Sequence, residues 1–334
     1  MSAINHEQDR PDKTSSSGHT DTSRQENHRV MGHVGDGPVR TIGLIVWTLR
    51  YDFLVMLGVA AGVAVLSDLI PMQSIGAIVP LLGVVVSIFI GFRNTYAYNR
   101  WWEARTLWGT LSANGNALRN ALTAVGDRSP EMVAVTDEML RRQVRHAWQL
   151  AAELRAVNPL PGVAQLTPED PPNASATSLL ARQAESVRRL MLGGHIDGQG
   201  RSLLTNLNTA QSAVAAGLER IRTQPLPTPY VTFIRALAWL FGSLVCLRLG
   251  TGEHDRLVGF AVGVLIMALF IVAERLGYFL EHPMSNTPFD LPLYRFCAAI
   301  TAELLGPQHP LAQPRQAKTA TSLGELPGTA VPDR

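Results

Sequence analysis

Four long apolar stretches constrain the fold of this chain more than any other feature of its sequence. They cover about residues 51–70, 74–94, 231–249 and 257–274. Each is about as long as a helix that crosses the ~30 Å of hydrocarbon in a bilayer. Because unpaired backbone polar groups are costly in hydrocarbon, helices are the expected conformation. The sequence therefore predicts an all-α membrane protein with four transmembrane helices.

Charged residues are scarce, and no motif for catalysis is present. Only 17% of the residues are charged and the formal net charge is +2, which gives no support to nucleic-acid binding. Cys246 and Cys297 lie far apart, which argues against a disulfide framework or a cysteine metal site. The chain has no glycine-rich phosphate loop, zinc motif or nucleophile motif. We therefore expect no enzyme activity, no cofactor and no metal site.

Polar segments flank the apolar region at both ends. Residues 1–38 contain few large apolar side chains, and residues 306–334 are rich in Pro, Thr, Gln and Ala. Such segments cannot bury enough apolar surface to offset the entropy lost on ordering. We expect two disordered tails, 1–38 and 306–334, around a membrane domain at 39–305.

The arginines predict an orientation in the cell (inner) membrane. Arg50 precedes the first apolar stretch, Arg93 lies at the end of the second and Arg100 follows it, whereas the short loop between these stretches has no basic residue. The positive-inside rule then places both termini in the cytoplasm. Residues 95–228 have apolar residues at helical spacing, and their first part, as far as Val125, continues the second stretch without a proline. We expect them to form cytoplasmic helices, the first continuous with the second span.

The second span carries two parallel stripes at a spacing of four residues. The small residues are Gly83, Ser87 and Gly91, and the apolar residues are Val84, Ile88 and Phe92. Small residues let another helix approach closely. An apolar stripe turned toward a shared axis would form a narrow hydrophobic constriction that gates ions by dewetting. From the pattern alone, ordinary helix packing is the favoured explanation of both stripes.

A motif dense in charged and aromatic residues, RWWEAR, follows the second span. Its residues include Arg100, Trp101, Trp102, Glu103 and Arg105. The rings favour an anchor at headgroup level, and the charges favour a buried junction between the long helix and the cytoplasmic helices. Both interpretations stay open. At the end of the fourth span, Glu274 and Arg275 favour a helix-end ion pair over an ion site.

Three stretches of the sequence resemble the bestrophin family, in particular its bacterial members. They are LLGVVVSIFIGFRNTYAYNRWWEARTLWG, LERIRTQPLPTPY and LEHPMSNTPFDLPL, and the resemblance extends over roughly residues 40–305. It implies a homopentameric channel for small monovalent ions, with the second helix around a hydrophobic neck. The family's three neck positions fall on Val84, Ile88 and Phe92. A second, cytoplasmic constriction is expected near Ile221 or Leu226.

The same resemblance bears on calcium and on ion selectivity. Eukaryotic members bind calcium through an acidic cluster after the fourth span, but the corresponding stretch here, from Glu281 to Asp290, has only those two acids. We therefore expect no calcium site. The family is labelled as chloride channels, yet bacterial members can favour cations, and a neck of Val, Ile and Phe has no charge with which to choose. A non-conducting membrane scaffold or sensor is a further alternative.

Overall fold

The computed structural model describes residues 43, 45–66, 77–250, 256–287 and 290–313. The chain divides into two units, residues 1–46 and 47–334. In the first unit only residues 43, 45 and 46 are described, and all are helical. The predicted tail at 1–38 lies outside the described residues. The described part of the second unit is helical throughout its regular structure.

Eight α-helices make up the described part of the second unit. They are α1 (Arg50–Leu66), α2 (Ile78–Val125), α3 (Pro130–Leu154), α4 (Ala176–Leu192), α5 (Gly198–Thr223), α6 (Thr228–Gly250), α7 (Arg256–Glu281) and α8 (Leu293–Leu305). Short 3-10 helices occur at Ala164–Leu166 and Pro310–Ala312. The prediction of an all-helical chain is confirmed for these residues.

Three helices among the described residues are long and apolar enough to cross a membrane: α2, α6 and the part of α7 from Leu257. They correspond to the second, third and fourth predicted spans. The first predicted span, 51–70, is helical as far as Leu66, and its last four residues lie outside the described part of the chain. At 17 residues, α1 is just shorter than the ~20 residues of an untilted span.

The long helix predicted from the second span is confirmed. α2 has 48 residues, so it is about 72 Å long at 1.5 Å per residue. About 30 Å of that length suffices to cross a bilayer. The remainder extends beyond the apolar segment and packs against α5 and α8. One rigid element therefore joins the membrane segment to the helices outside it.

α6 and α7 form a tightly packed pair in the membrane segment. A Cβ atom on Gly263 of α7 would lie only 2.8 Å from the Cα atom of Cys246 in α6. The ring centroids of Phe241 in α6 and Phe270 in α7 lie 4.8 Å apart in an edge-to-face arrangement. Small residues bring the two backbones together here, as expected where both helices are surrounded by apolar tails.

The distal half of α2 packs with α3, α4, α5 and α8 into a second core, here called the distal bundle. Trp108 and Trp148 are fully buried in it, and the indole N–H of Trp148 donates to Thr301 Oγ1 at 3.0 Å. Side-chain caps fix where the bundle helices begin: Ser129, Ser175 and Asp197 each accept a backbone N–H in the first turn of α3, α4 and α5. Such caps satisfy donors that a helix start otherwise leaves unpaired.

The start of the predicted C-terminal tail is wrong by at least eight residues. Pro310–Ala312 forms a 3-10 helix, and the side chain of Leu311 is buried in the core of the distal bundle. His309 caps this turn by accepting the backbone N–H of Leu311. A single buried leucine and its cap order a segment whose average composition favours disorder. Residues 314–334 lie outside the described part of the chain.

A histidine cluster joins three segments at the far end of the distal bundle. His195, between α4 and α5, places Nδ1 3.0 Å from Asp127 Oδ2 and Nε2 3.1 Å from Glu131 Oε2. The hydroxyl of Ser129 donates to Asp127 at 2.6 Å. Hydrogen bonds to Asp127 and Glu131 raise the pKa of His195, while those from Ser129 and His195 lower the pKa of Asp127 to about 2. The cluster therefore favours an imidazolium between two carboxylates.

We expect the stabilising effect of His195 to be lost at alkaline pH. It is full below the ordinary histidine pKa of about 6.5 and disappears as the pH rises through the higher pKa of the folded state. The reason is that a neutral ring donates to only one of the two carboxylates. The stabilising effect of His195 is measured by thermal unfolding of wild type and His195→Gln in low-salt detergent solution.

The difference in Tm between wild type and His195→Gln should shrink as the pH rises from about 6 to about 9. The contribution of Asp127 stays constant over that range, since it is lost only as the pH falls from its ordinary value toward about 2. A Tm difference that is constant or grows with pH contradicts the protonated histidine.

Candidate functional site

The membrane half of α2 has one face buried inside the chain and one apolar face left uncovered. The buried face carries Val79, Val86, Ile90, Arg93 and Ala97. The uncovered face carries Val84, Ile88 and Phe92, which are 58%, 51% and 69% exposed. The periodicity of 3.6 residues separates the two sets cleanly. The apolar stripe found in the sequence is therefore not part of the core of its own chain.

The exposed stripe is uncharged over its whole length. Val84 and Phe92 are separated by eight residues, which corresponds to about 12 Å along a helix. An apolar strip of this kind is stable only against lipid or against another protein surface. The geometry thus allows two arrangements, a lipid-facing ridge or a wall shared with other copies of the chain.

The small-residue stripe divides between two environments. Gly83 packs inside the chain, where an added Cβ would lie 3.0 Å from the ring of Phe241 in α6. Ser87 donates its hydroxyl to the carbonyl of Gly83 at 2.7 Å. Gly91 has no neighbour within 4 Å of an added Cβ. Within the small-residue stripe, Gly83 therefore serves helix packing inside one chain, and Gly91 is open to an outside contact.

A buried charged cluster lies next to Phe92, on the inward side of α2. Arg93 follows Phe92 and donates to Glu274 Oε1 at 2.5 Å and to the Glu274 carbonyl at 3.2 Å. The side chains of Arg93, Glu274 and Glu281 are 0%, 3% and 1% exposed. Arg235 of α6 approaches Glu274 at 3.4 Å. Charges in this position are tolerated in a membrane only when they are paired.

The predicted ion pair at the end of the fourth span is only part of this arrangement. Glu274 does approach Arg275, at 3.8 Å, but its short contact is with Arg93 of α2. Arg275 bonds instead with Asp52 of α1. These charges therefore connect different helices rather than capping one. Sequence reasoning missed the pairing because 181 residues separate Arg93 from Glu274.

Arg100 forms a junction between α2, the end of α5 and the end of α7. Its guanidinium donates to three backbone carbonyls, those of Ile221, Gln224 and Glu281. The planar fork of arginine is suited to several acceptors at once. Glu103, one turn further along α2, bonds with Arg220 of α5. Arg100 therefore matches the buried-junction interpretation, whereas Glu103 joins the same two helices through an exposed ion pair.

The other members of the motif have different surroundings. Arg105 lies over the ring of Trp101 in its own helix, with 5.9 Å between the guanidinium carbon and the ring centroid. Trp101 is partly buried against the distal bundle, whereas Trp102 is exposed and stacks with Tyr98. Trp102 is therefore open to an outside contact, and the headgroup interpretation stays a prediction for this residue.

The structure bears on whether the two constriction candidates, Ile221 and Leu226, can line a pore. Ile221 is only 3% exposed and packs in the core of the distal bundle, so its side chain cannot line a pore. Leu226 is half-buried, and its backbone N–H donates to Glu281 at 2.7 Å. Both residues lie near the middle of α2: Arg100 donates to the Ile221 carbonyl, and Leu226 lines a cavity with Phe92. The Ile221 candidate is wrong, and neither residue lies at the far end of the distal bundle.

An apolar cavity of about 390 Å³ lies between α2 and the loop that joins α5 to α6. It is lined by Phe92, Arg93, Tyr96, Leu226, Pro227 and Tyr230. The guanidinium of Arg93 points away toward Glu274, so the cavity wall consists of rings and aliphatic groups. The ring of Phe92 therefore has the α5–α6 loop on one side and open space on the other.

The two acids in the stretch that resembles a calcium site are engaged elsewhere. Asp290 closes a tight turn by accepting the N–H of Asn286 at 2.5 Å and the hydroxyl of Thr287 at 2.7 Å. Glu281 accepts the N–H of Leu226. Over the described residues, no group of three His, Cys, Asp or Glu side chains is arranged to hold a metal ion.

Comparison with known families gives a match over most of the chain. The model of the family described as bacterial and fungal bestrophin proteins matches residues 39–306. These limits coincide closely with the membrane domain expected at 39–305. The match includes every helix described above, from α1 to α8.

Individual relatives and solved structures agree with this match. The voltage-dependent anion channel-forming protein YneE of Escherichia coli O157:H7 is 32% identical over 261 residues, 76% of this chain and 79% of that protein. Protein mll4386 of Mesorhizobium japonicum, with the same description, is 31% identical over 71% of this chain and 77% of its own length. A crystal structure of a bestrophin homologue from Klebsiella pneumoniae aligns with a TM-score of 0.69 at 25% identity, covering 78% of this chain and all of that one.

Proposed function

The chain belongs to the bestrophin family, and on that basis we propose that it forms a homopentameric channel for small monovalent anions such as chloride. The observation that carries this proposal is the uncovered apolar stripe of Val84, Ile88 and Phe92. Five such stripes around an axis would form a continuous hydrophobic neck. The anion preference is supported by relatives described as voltage-dependent anion channel-forming proteins.

A neck of this composition acts through water and size rather than through charge. An apolar constriction gates by dewetting, because a narrow apolar tube holds water and ions poorly. Phe92 is the bulkiest of the three residues and lies at the end of the stripe nearest the charged cluster. We propose that its ring sets the narrowest point, and that Gly91 beside it allows the neighbouring copy to approach.

Any second constriction belongs at the start of α5, which is the far end of the distal bundle. Gln199 is 22 residues from Ile221, which corresponds to about 33 Å along the helix. The exposed side chains in its first turns are Gln199, Arg201, Ser202 and Leu203. We propose that this end is the cytoplasmic exit, with both termini on the same side of the cell membrane, as the arginine distribution predicts.

Currents across a planar bilayer test the proposed function directly. The purified protein in a KCl gradient should give single-channel currents whose reversal potential lies near the equilibrium potential of chloride. A reversal potential near that of potassium would instead identify a monovalent-cation channel with the same neck. An absence of channel currents from protein that is folded and correctly inserted would favour the scaffold or sensor alternative.

Substitutions in the stripe test the neck. Ile88→Ala or Phe92→Ala removes apolar bulk from the proposed constriction, which should lower the dewetting barrier and raise conductance several-fold. Leu265→Ala is the matched control, because Leu265 is an equally exposed apolar residue on the membrane helix α7. Its conductance should equal that of wild type. Unchanged conductance in both stripe variants would exclude this stripe as the neck.

A further inference from the structure

Glu281, the last residue of α7, occupies a buried position between three segments of the chain. Its Oε1 accepts the backbone N–H of Leu226 in the α5–α6 loop at 2.7 Å. Its Oε2 lies 3.6 Å from Arg93 Nη2 on α2. Its own carbonyl accepts Arg100 Nε at 3.3 Å. One residue therefore contacts the helix of the proposed neck at two levels and holds the adjoining loop.

Glu281 is the more distant of the two carboxylates that face Arg93. Arg93 already has a short, direct ion pair with Glu274, whose carboxylate is equally buried. The Glu281 contact is longer, and neither Glu281 Oε2 nor Arg93 Nη2 has a hydrogen-bond partner among the described residues. A buried carboxylate that leaves one oxygen without a hydrogen bond costs free energy. The buried carboxylate of Glu281 therefore points to a role other than stability.

The loop held by Glu281 forms part of the surroundings of Phe92. Leu226 and Pro227 line the 390 Å³ cavity together with Phe92 and Tyr96. The position of this loop thus decides how much space the Phe92 ring has on its buried side. Arg93 is the next residue along α2, so the guanidinium that faces Glu281 and the ring of Phe92 are attached to adjacent backbone positions.

We propose that Glu281 is a positioning residue for the pore, which ties the α5–α6 loop to α2 and so fixes the ring of Phe92. This inference rests on the proposed channel function and adds a residue outside the neck to it. The tie needs both properties of the carboxylate, namely an acceptor for the Leu226 N–H and a negative charge facing Arg93. Loss of either should leave Phe92 more mobile and the neck wider for large ions.

Glu281→Gln separates these properties, because glutamine can still accept the Leu226 N–H but carries no charge. The measurement is the ratio of iodide to chloride permeability, obtained from reversal potentials under bi-ionic conditions. We expect the ratio to change by about two-fold or more, the lower end of effects from residues that act through others. A ratio equal to that of wild type would overturn the proposal.

Glu303→Gln is the matched control, since Glu303 also joins α2 to another helix through its carboxylate. It accepts from Ser112 and Asn116 of α2 at 2.9 Å and 2.8 Å. Ser112 is 20 residues from Phe92, about 30 Å along the helix. This variant should keep the wild-type permeability ratio. An equal shift in both variants would show a general effect of loosening α2 and would contradict a specific role for Glu281.

Leu226→Pro provides an independent variant if Glu281→Gln does not fold. It removes the N–H that Glu281 accepts and leaves every charge in place. On its own, Leu226→Pro should change the permeability ratio from that of wild type. Where both single variants fold, the two shifts should have the same direction, and the double variant should show no further shift than the larger single effect. Full additivity would overturn the tie. If wild type itself gives no currents, the channel function fails, whereas a conducting wild type with unchanged variants overturns only the role of Glu281.

Discussion

The ion pair between Arg93 and Glu274 is the interaction on which the arrangement of α2 depends. An arginine at the end of an apolar helix segment must be either at an interface or paired inside the protein. Here it is fully buried and bonded to both the carboxylate and the carbonyl of Glu274. This contact fixes the rotation of α2 about its axis. Once Arg93 points inward to α7, Phe92 and the residues one and two turns before it point outward.

That rotation explains why one helix can serve two purposes. Its inward face completes the core of a single chain, through Val86 and Ile90 against α6. Its outward face is equally apolar but has no partner in the same chain. Beyond the membrane segment, Arg100 and Glu103 attach the same helix to α5, so that α2 connects the distal bundle directly to the proposed neck. α2 is thus a long continuous helix whose outward apolar face has no partner within the described part of the chain.

The helices of this fold could be predicted from sequence, because length and apolarity alone decide whether a segment can cross a bilayer. The continuous α2 followed from the absence of proline between residues 81 and 125. The contacts that fix the geometry could not be predicted, because the partners are distant in sequence: Arg93 with Glu274, and Glu281 with Leu226. The burial of Ile221 could not be predicted for the same reason. Ile221 belongs to an amphipathic helix, and only the packing of α2 and α8 shows that its side chain faces the core.

Composition also predicted disorder from residue 306 onward, whereas the buried side chain of Leu311 orders the first part of that segment. The stripe of Val84, Ile88 and Phe92, by contrast, was visible at a spacing of four residues, and the structure leaves it exposed as a shared wall requires. Whether copies of the chain meet at this wall is the central question. The mass of the detergent-solubilised protein, measured by native mass spectrometry, answers it most directly. Five copies are predicted, and a particle of one or two copies would contradict the account.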